Sequence, residues 1–121
     1  MIFTNIAVDQ DGHSYFNEVE IAQSGPPRRI SSKNQDVLYW QMAVSEPGHF
    51  VDCAPSVDAK VLAVLSGQID VIVSNGEVRH FTRGDIFTAR DLTGQGHITR
   101  VVGLEPCAVL TIAMPGDGQF K

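Results

Sequence analysis

The chain is built from short runs of apolar and β-branched residues, separated at regular intervals by pairs of turn-forming residues. The runs fall near residues 60–65, 68–73, 77–82, 85–90, 97–103 and 107–114, and the turns between them contain Asn75-Gly76, Arg83-Gly84, Thr93-Gly94 and Glu105-Pro106. Glycine in such a turn supplies the positive φ that a tight hairpin requires. No segment of helical length carries a helical apolar stripe. The pattern therefore predicts an all-β sandwich or barrel.

The alternation of apolar and other residues is clearest between Val37 and Val44. One face of this run carries Leu38, Trp40, Met42 and Val44, and the other carries Tyr39, Gln41 and Ala43. A period of two indicates a strand in a sheet, with one strongly apolar face. We interpret that face as packing towards the interior. It either fills the core or, at Trp40 and Met42, contacts a ligand.

Charge and composition argue against several classes of function. The net charge is −5 and no run of Lys or Arg occurs, so nucleic acids and anionic membrane surfaces are poor partners. No apolar stretch has the length of a membrane span and no signal-peptide pattern begins the chain, so we expect a cytoplasmic protein. The two cysteines, Cys53 and Cys107, form neither a disulfide framework nor a spaced metal motif. We interpret them as reduced, buried thiols, with a nucleophilic Cys53 as the alternative.

The glycines and one histidine resemble the two sequence motifs of the small single-domain cupins. Gly48 and Gly67 stand at the two ends of the first motif, and Gly94-Gln95-Gly96-His97 matches the end of the second. Asp91-Leu-Thr-Gly-Gln-Gly-His97 is close to a signature of one branch of these proteins. The resemblance implies a double-stranded β-helix, the jelly-roll barrel of the RmlC-like proteins, over roughly residues 37–114. It is more specific for fold than for function, since one fold supports many chemistries.

The metal-binding positions of that family are replaced in this chain. Its two His positions fall on Ala54 and Ser56, its Glu position falls on Lys60, and only the last His remains, as His97. A divalent transition metal needs three or four imidazole, thiolate or carboxylate ligands, which a methyl, a hydroxyl and an ammonium group do not supply. We therefore expect no metal and no other cofactor.

A different alignment of the first motif would leave a mixed metal site of Asp52, Cys53 and His97. Strand alternation counted from Ala54 argues against it, because this count places Phe50 and Asp52 towards the lumen. The same count places His49, Val51 and Cys53 on the opposite side.

Candidate site residues follow from this frame. Lys60 and His97 are the candidate catalytic residues, and they head a set of predicted ligand contacts that also contains Trp40, Met42, Phe50, Asp52, Ala54 and Ser56. A Lys and a His in one concave pocket suit a carboxylate, an enolate or a phosphate. The alternatives are that Lys60 points outwards to Asp58 or Glu46, and that His97 is a hydrogen-bonded core residue.

Two functions from different classes remain open, and a third ranks below them. The first is the binding of a small anionic or carbonyl-bearing organic ligand in a metal-free barrel. The second is a metal-independent isomerase, lyase or cyclase, in which His97 transfers protons and Lys60 acts as electrophile or second base. The third is a metal-dependent cupin oxygenase or isomerase.

The resemblance also implies a homodimer, because the family pairs through its sheets and N-terminal strands, and it divides the chain into three parts. Residues 1–36 form N-terminal strands and a loop that we expect to contribute to the dimer, residues 37–114 form the barrel, and residues 115–121 form a C-terminal tail.

Overall fold

The computed structural model describes the backbone of residues 1–121 and all side chains except those of Asp52 and Cys53. Ten strands follow one another along the chain: β1 (Ile2–Val8), β2 (Ser14–Glu20), β3 (Tyr39–Ser45), β4 (Phe50–Ala54), β5 (Ala59–Ser66), β6 (Gln68–Val73), β7 (Val78–Thr82), β8 (Ile86–Ala89), β9 (His97–Val102) and β10 (Cys107–Met114). The described backbone contains no helix, so the predicted all-β class is confirmed. Accordingly, the described chain offers no helix of the length and hydropathy needed to cross a membrane.

The strands form two sheets that face each other. The larger sheet has six strands in the order β2-β1-β8-β5-β10-β3, and the smaller has four in the order β4-β9-β6-β7. All neighbouring strands are antiparallel except β1 and β8, which run parallel. The N-terminal segment 1–36 thus contributes β1 and β2 to the sheet that also contains β5 and β10.

The core lies between the two sheets. Its buried members are Ile6, Phe16, Val64, Ile69, Val71, Val73, Phe81, Phe87, Ala89, Val101 and Cys107, with Leu62 and Val109 packed against them. The rings of Phe81 and Phe87 stack at a centroid distance of 4.2 Å and join the two sheets at the centre of this cluster. Burial of such apolar surface is the main stabilising contribution in a domain of this size.

One close backbone approach joins β4 to the turn before β9. Gly96 has a φ of 74°, and a Cβ atom at this position would overlap the carbonyl group of Ala54. Only glycine can adopt this positive φ without strain and also fit here, because it has no Cβ atom. This contact holds Ala54, at the end of β4, against the start of β9.

We predict that Gly96→Ala destabilises the fold far more than Gly76→Ala. Both glycines have a positive φ, but a Cβ at Gly76 would meet no atom within 4 Å. Gly76→Ala should therefore lower the free energy of unfolding only by the cost of holding an alanine at a positive φ, which is about 1–2 kcal/mol. Gly96→Ala should lower it by about 3 kcal/mol or more, because backbone atoms must also move. Urea denaturation measures both, and equal losses would contradict the close approach.

Candidate functional site

A cavity of about 300 Å³ opens between the two sheets. Apolar side chains form most of its wall, and among them are Val51, Leu62, Ile69, Phe87, Val101 and Val109. The polar lining residues are Ser45, His49, Ser56, Lys60, His97, Thr99 and Thr111. Among the lining residues that the structure describes, none is an Asp or a Glu. The wall is therefore largely apolar, and Lys60 is its one Lys or Arg side chain among the described residues.

Lys60 lies on the inner face of β5. It is paired in register with Ala89 of β8 and Ala113 of β10, so its side chain points to the same side of the sheet as the cavity. It is half-buried and contributes to the cavity wall. Within the described part of the chain Lys60 forms no ion pair with Asp58 or Glu46, and Asp58 instead accepts a hydrogen bond from the Tyr39 hydroxyl at 3.1 Å. The ammonium group thus lacks a carboxylate partner there.

His97 is the first residue of β9 and is held by a buried carboxylate. Its Nδ1 lies 2.6 Å from Oδ2 of Asp91, whose side chain is fully buried. A carboxylate can only accept, so Nδ1 carries the hydrogen and Nε2 is left as the second functional nitrogen. The His97 side chain is 16% exposed and lines the cavity. This arrangement fixes both the tautomer and the ring orientation.

Asp91 was missed as a site residue by the sequence analysis. Its six-residue separation from His97 spans the turn at Gly94 and Gly96, and that turn brings the two side chains together. The backbone carbonyl of Asp91 also accepts a hydrogen bond from the amide of Ser56 at 2.9 Å. Its Oδ1 is buried and finds no hydrogen-bond partner among the described side chains and backbone. The Asp91 carboxylate therefore acts mainly on His97.

Ala54 and Ser56 lie at the cavity, as the motif frame predicts. Ser56 is nearly buried, and its hydroxyl donates to the backbone carbonyl of Asp58 at 2.6 Å. This hydroxyl can therefore only accept a hydrogen bond from a ligand. Together with Lys60 and His97, these two residues make four predicted ligand contacts that line the same cavity.

The predicted orientation of β4 is wrong for the residues before Ala54. The register between β4 and β9 shifts between Val51 and Ala54, which is a β-bulge. An extra residue reverses the alternation, so counting back from Ala54 gives the wrong side. Phe50 is half exposed and lies outside the cavity wall, whereas His49 and Val51 line it. The structure does not describe the side chain of Asp52, so the predicted ligand contact of this residue stays a prediction.

Trp40 and Met42 also lie outside the cavity. The two faces of β3 are divided as the alternation predicts, but the apolar face points away from the other sheet. Ser45 is in register with Cys107 of β10, and both line the cavity. Trp40 has the opposite parity and is 66% exposed. The sequence shows which residues share a face, but the more apolar face is the outer one here.

Cys107 is a further wall residue that the sequence did not identify as part of the site. Its side chain is buried, and burial raises the pKa of the thiol. It is therefore a neutral, unreactive thiol at neutral pH, since the thiolate is the nucleophilic form. The prediction of a reduced, buried thiol is confirmed for Cys107. The side chain of Cys53 is not described by the structure, so the same prediction stays a prediction for that residue.

The wall residues do not fit the metal that the resemblance would imply. Ala54, Ser56 and Lys60 supply no metal-ligating group beside His97. Among the described side chains, no three of His, Cys, Asp and Glu converge as a metal ion requires.

Solved structures resemble this chain, although its sequence alone has no match among family models or curated proteins. A conserved Klebsiella pneumoniae protein with a double-stranded β-helix domain is 25% identical, at a TM-score of 0.53, over 73% of this chain and 81% of that protein. The cupin domain of Cnp3 from Schizosaccharomyces pombe is 15% identical, at a TM-score of 0.51, over 93% of this chain and 87% of that domain.

A third structure, the SPY1581 protein of unknown function from Streptococcus pyogenes, is 15% identical at a TM-score of 0.52, over 70% of this chain and 71% of that protein. The first of these proteins has a double-stranded β-helix domain and the second is a cupin domain. The chain is thus a small cupin-fold domain.

Proposed function

We propose that this chain binds a small organic anion, such as a carboxylate, inside its cavity. The observation that supports this most directly is Lys60, a cation without a carboxylate partner in a mostly apolar wall. A charge in apolar surroundings needs a counter-charge or a hydrogen-bonding partner. The described wall offers no acidic side chain, so a bound anion is the partner that fits.

The shape and the remaining polar groups support the same ligand class. A volume of about 300 Å³ is at the lower end of the range for small-molecule pockets. An aromatic or branched aliphatic body suits the wall formed by Leu62, Phe87 and Val109. The imidazole of His49 adds a hydrogen-bonding group to the same cavity. A small, partly apolar carboxylate matches both the charge of Lys60 and the apolar wall.

Lys60→Gln should weaken the binding of a carboxylate without weakening that of its neutral analogue. A hydrogen bond to a charged group contributes roughly 1.5–3 kcal/mol, so benzoate affinity should fall by about 10-fold to 100-fold. Isothermal titration calorimetry with benzoate and benzamide measures the difference, because the two probes differ chiefly in charge. Wild type should prefer benzoate, and the variant should not.

The matched control is Lys33→Gln, which removes one positive charge from an exposed loop residue. It should leave benzoate affinity unchanged. If Lys60→Gln and Lys33→Gln behave alike, or if wild type prefers benzamide, anion binding by Lys60 is refuted.

A metal-independent enzyme is the second candidate, and the pairing of Asp91 with His97 favours it. A buried carboxylate at 2.6 Å from Nδ1 orients the ring and stabilises the imidazolium formed when Nε2 takes a proton. The substrate would be a carbonyl compound with an acidic neighbouring C–H bond. The proton moves from that carbon to Nε2, and the electron pair moves to the carbonyl oxygen, where the Lys60 ammonium stabilises the enolate.

This second candidate predicts exchange of carbon-bound hydrogen catalysed by His97. Wild type in D₂O should exchange the C3 protons of 2-oxobutyrate, which ¹H NMR detects as signal loss. His97→Gln should lower the rate by about 100-fold or more, as loss of a general base does. Asp91→Asn should lower it by about 10-fold or more while the imidazole stays in place.

A second His–Asp pair in the same chain provides the control. Nδ1 of His80 lies 2.7 Å from Asp70 on the four-stranded sheet, with the His80 side chain 48% exposed and outside the cavity wall. His80→Gln should leave the exchange rate unchanged. Benzoate binding without any exchange favours the binding protein, and exchange that survives His97→Gln contradicts the enzyme.

A further inference from the structure

One end of the cavity, here called the charged end, is formed by Ser56, Lys60 and His97. The Ser56 amide donates to the backbone carbonyl of Asp91 at 2.9 Å, and the Asp91 carboxylate holds the imidazole of His97. Lys60 is in register with Ala89, two residues before Asp91 in the chain. These links place the three wall residues at the same end of the cavity.

A second polar group, here called the distal end, lies at the turn between β3 and β4. Ser45 is the last residue of β3, and His49 directly precedes β4. The turn is closed by a hydrogen bond from the His49 amide to the Glu46 carbonyl at 3.0 Å. The side chains of Ser45 and His49 line the cavity. Neither has a hydrogen-bond partner in the described part of the chain, so both are available to a ligand.

Strand β9 gives the separation of the two ends. His97 is its first residue, and the amide of Val101, four residues further along, donates to the carbonyl of His49 at 2.9 Å. A strand rises by about 3.3 Å per residue, so the two histidines are roughly 13 Å apart along the strand direction. A ligand that contacts both ends must therefore be elongated.

The six-stranded sheet shows the same order of the two ends. Lys60 is in register with Ala113 of β10, and Ser45 is in register with Cys107, six residues earlier in that strand. Val109 lies between these two positions of β10 and lines the cavity. Both sheets thus separate the charged end from the distal end by a stretch of cavity wall.

We propose that the ligand is a monocarboxylate with a neutral hydrogen-bonding group, such as a hydroxyl or an amide, at its far end. The carboxylate binds at Lys60, and the neutral group binds at His49 and Ser45. This ligand class rests on the anion binding proposed above, and it adds a second point of recognition that a compact acid such as benzoate lacks.

The distal end fits a neutral group better than a second carboxylate. An imidazole and a hydroxyl can each donate and accept a hydrogen bond, as a ligand hydroxyl or amide also requires. The described wall has no Lys or Arg at this end, and Glu46 lies in the turn between Ser45 and His49. A second carboxylate there would lack a counter-charge and would lie near a like charge. His49 is exposed, so a polar far end also keeps contact with water.

Isothermal titration calorimetry with 3-phenylpropionate and 3-(4-hydroxyphenyl)propionate tests this ligand class, because the two probes differ only in the distal hydroxyl. Wild type should bind the hydroxylated probe roughly 2-fold to 10-fold more tightly, as one hydrogen bond provides. The double variant Ser45→Ala, His49→Phe should lose this gain and keep its affinity for 3-phenylpropionate, which shows that the fold is intact. A second carboxylate, in 3-(4-carboxyphenyl)propionate, should weaken binding by wild type.

The control is His13→Phe, which makes the same change at an exposed histidine outside the cavity wall and should keep the gain. The two proposals fail in different ways. If Lys60→Gln weakens 3-phenylpropionate binding, but the hydroxyl gives no gain or its gain survives in the double variant, the elongated ligand is refuted and anion binding stands. Tighter binding of the dicarboxylate also refutes the neutral far group. If none of the carboxylates binds, both proposals are refuted.

Discussion

The register of β5 between β8 and β10 is the constraint on which the cavity and the outer surface both depend. Lys60 is in register with Ala89 on one side and Ala113 on the other, and Leu62 is in register with Phe87 and Thr111. Side chains alternate along a strand, so a slip by one residue would turn Lys60 to the outside. The same slip would bring a small residue, Ala63, into the core in place of larger ones. Apolar packing against Phe87 therefore also places the cation.

The placement of Lys60 has an energetic consequence for function. An ammonium group in a largely apolar wall is costly unless polar groups or ions neutralise it. At the surface, Asp70 is paired with His80 and Arg100, whereas Lys60 has no acidic partner among the described residues. The anionic ligand proposed above would supply the missing opposite charge.

The sequence predicted the strands and turns well because hairpin turns and alternation are local properties. It also identified Ala54, Ser56, Lys60 and His97 as neighbours, since the motif glycines fix their spacing. The bulge within β4 could not be predicted, because it depends on how β4 pairs with β9. That single irregularity accounts for Phe50 pointing away from the cavity and Val51 pointing into it.

Two further errors have a different physical origin. Hydrophobicity alone assigned Trp40 and Met42 to the interior, although apolar atoms also make up much of the surface of a folded protein. The pairing of Asp91 with His97 arises from a turn that brings a buried carboxylate beneath the imidazole. Its signal in the sequence is an ordinary turn-forming Asp, so only the folded geometry distinguishes an orienting residue from a turn residue.

The cavity wall and the outer surface of the six-stranded sheet are formed by the same strands. In β10, Thr111 lines the cavity while Ile112, the next residue, lies on the outer face, and Lys60 stands next to Val61 in β5 in the same way. A change on the outer face that shifts β5 or β10 would therefore also move the cavity wall. The position of Lys60 thus depends on the packing of both faces of the sheet.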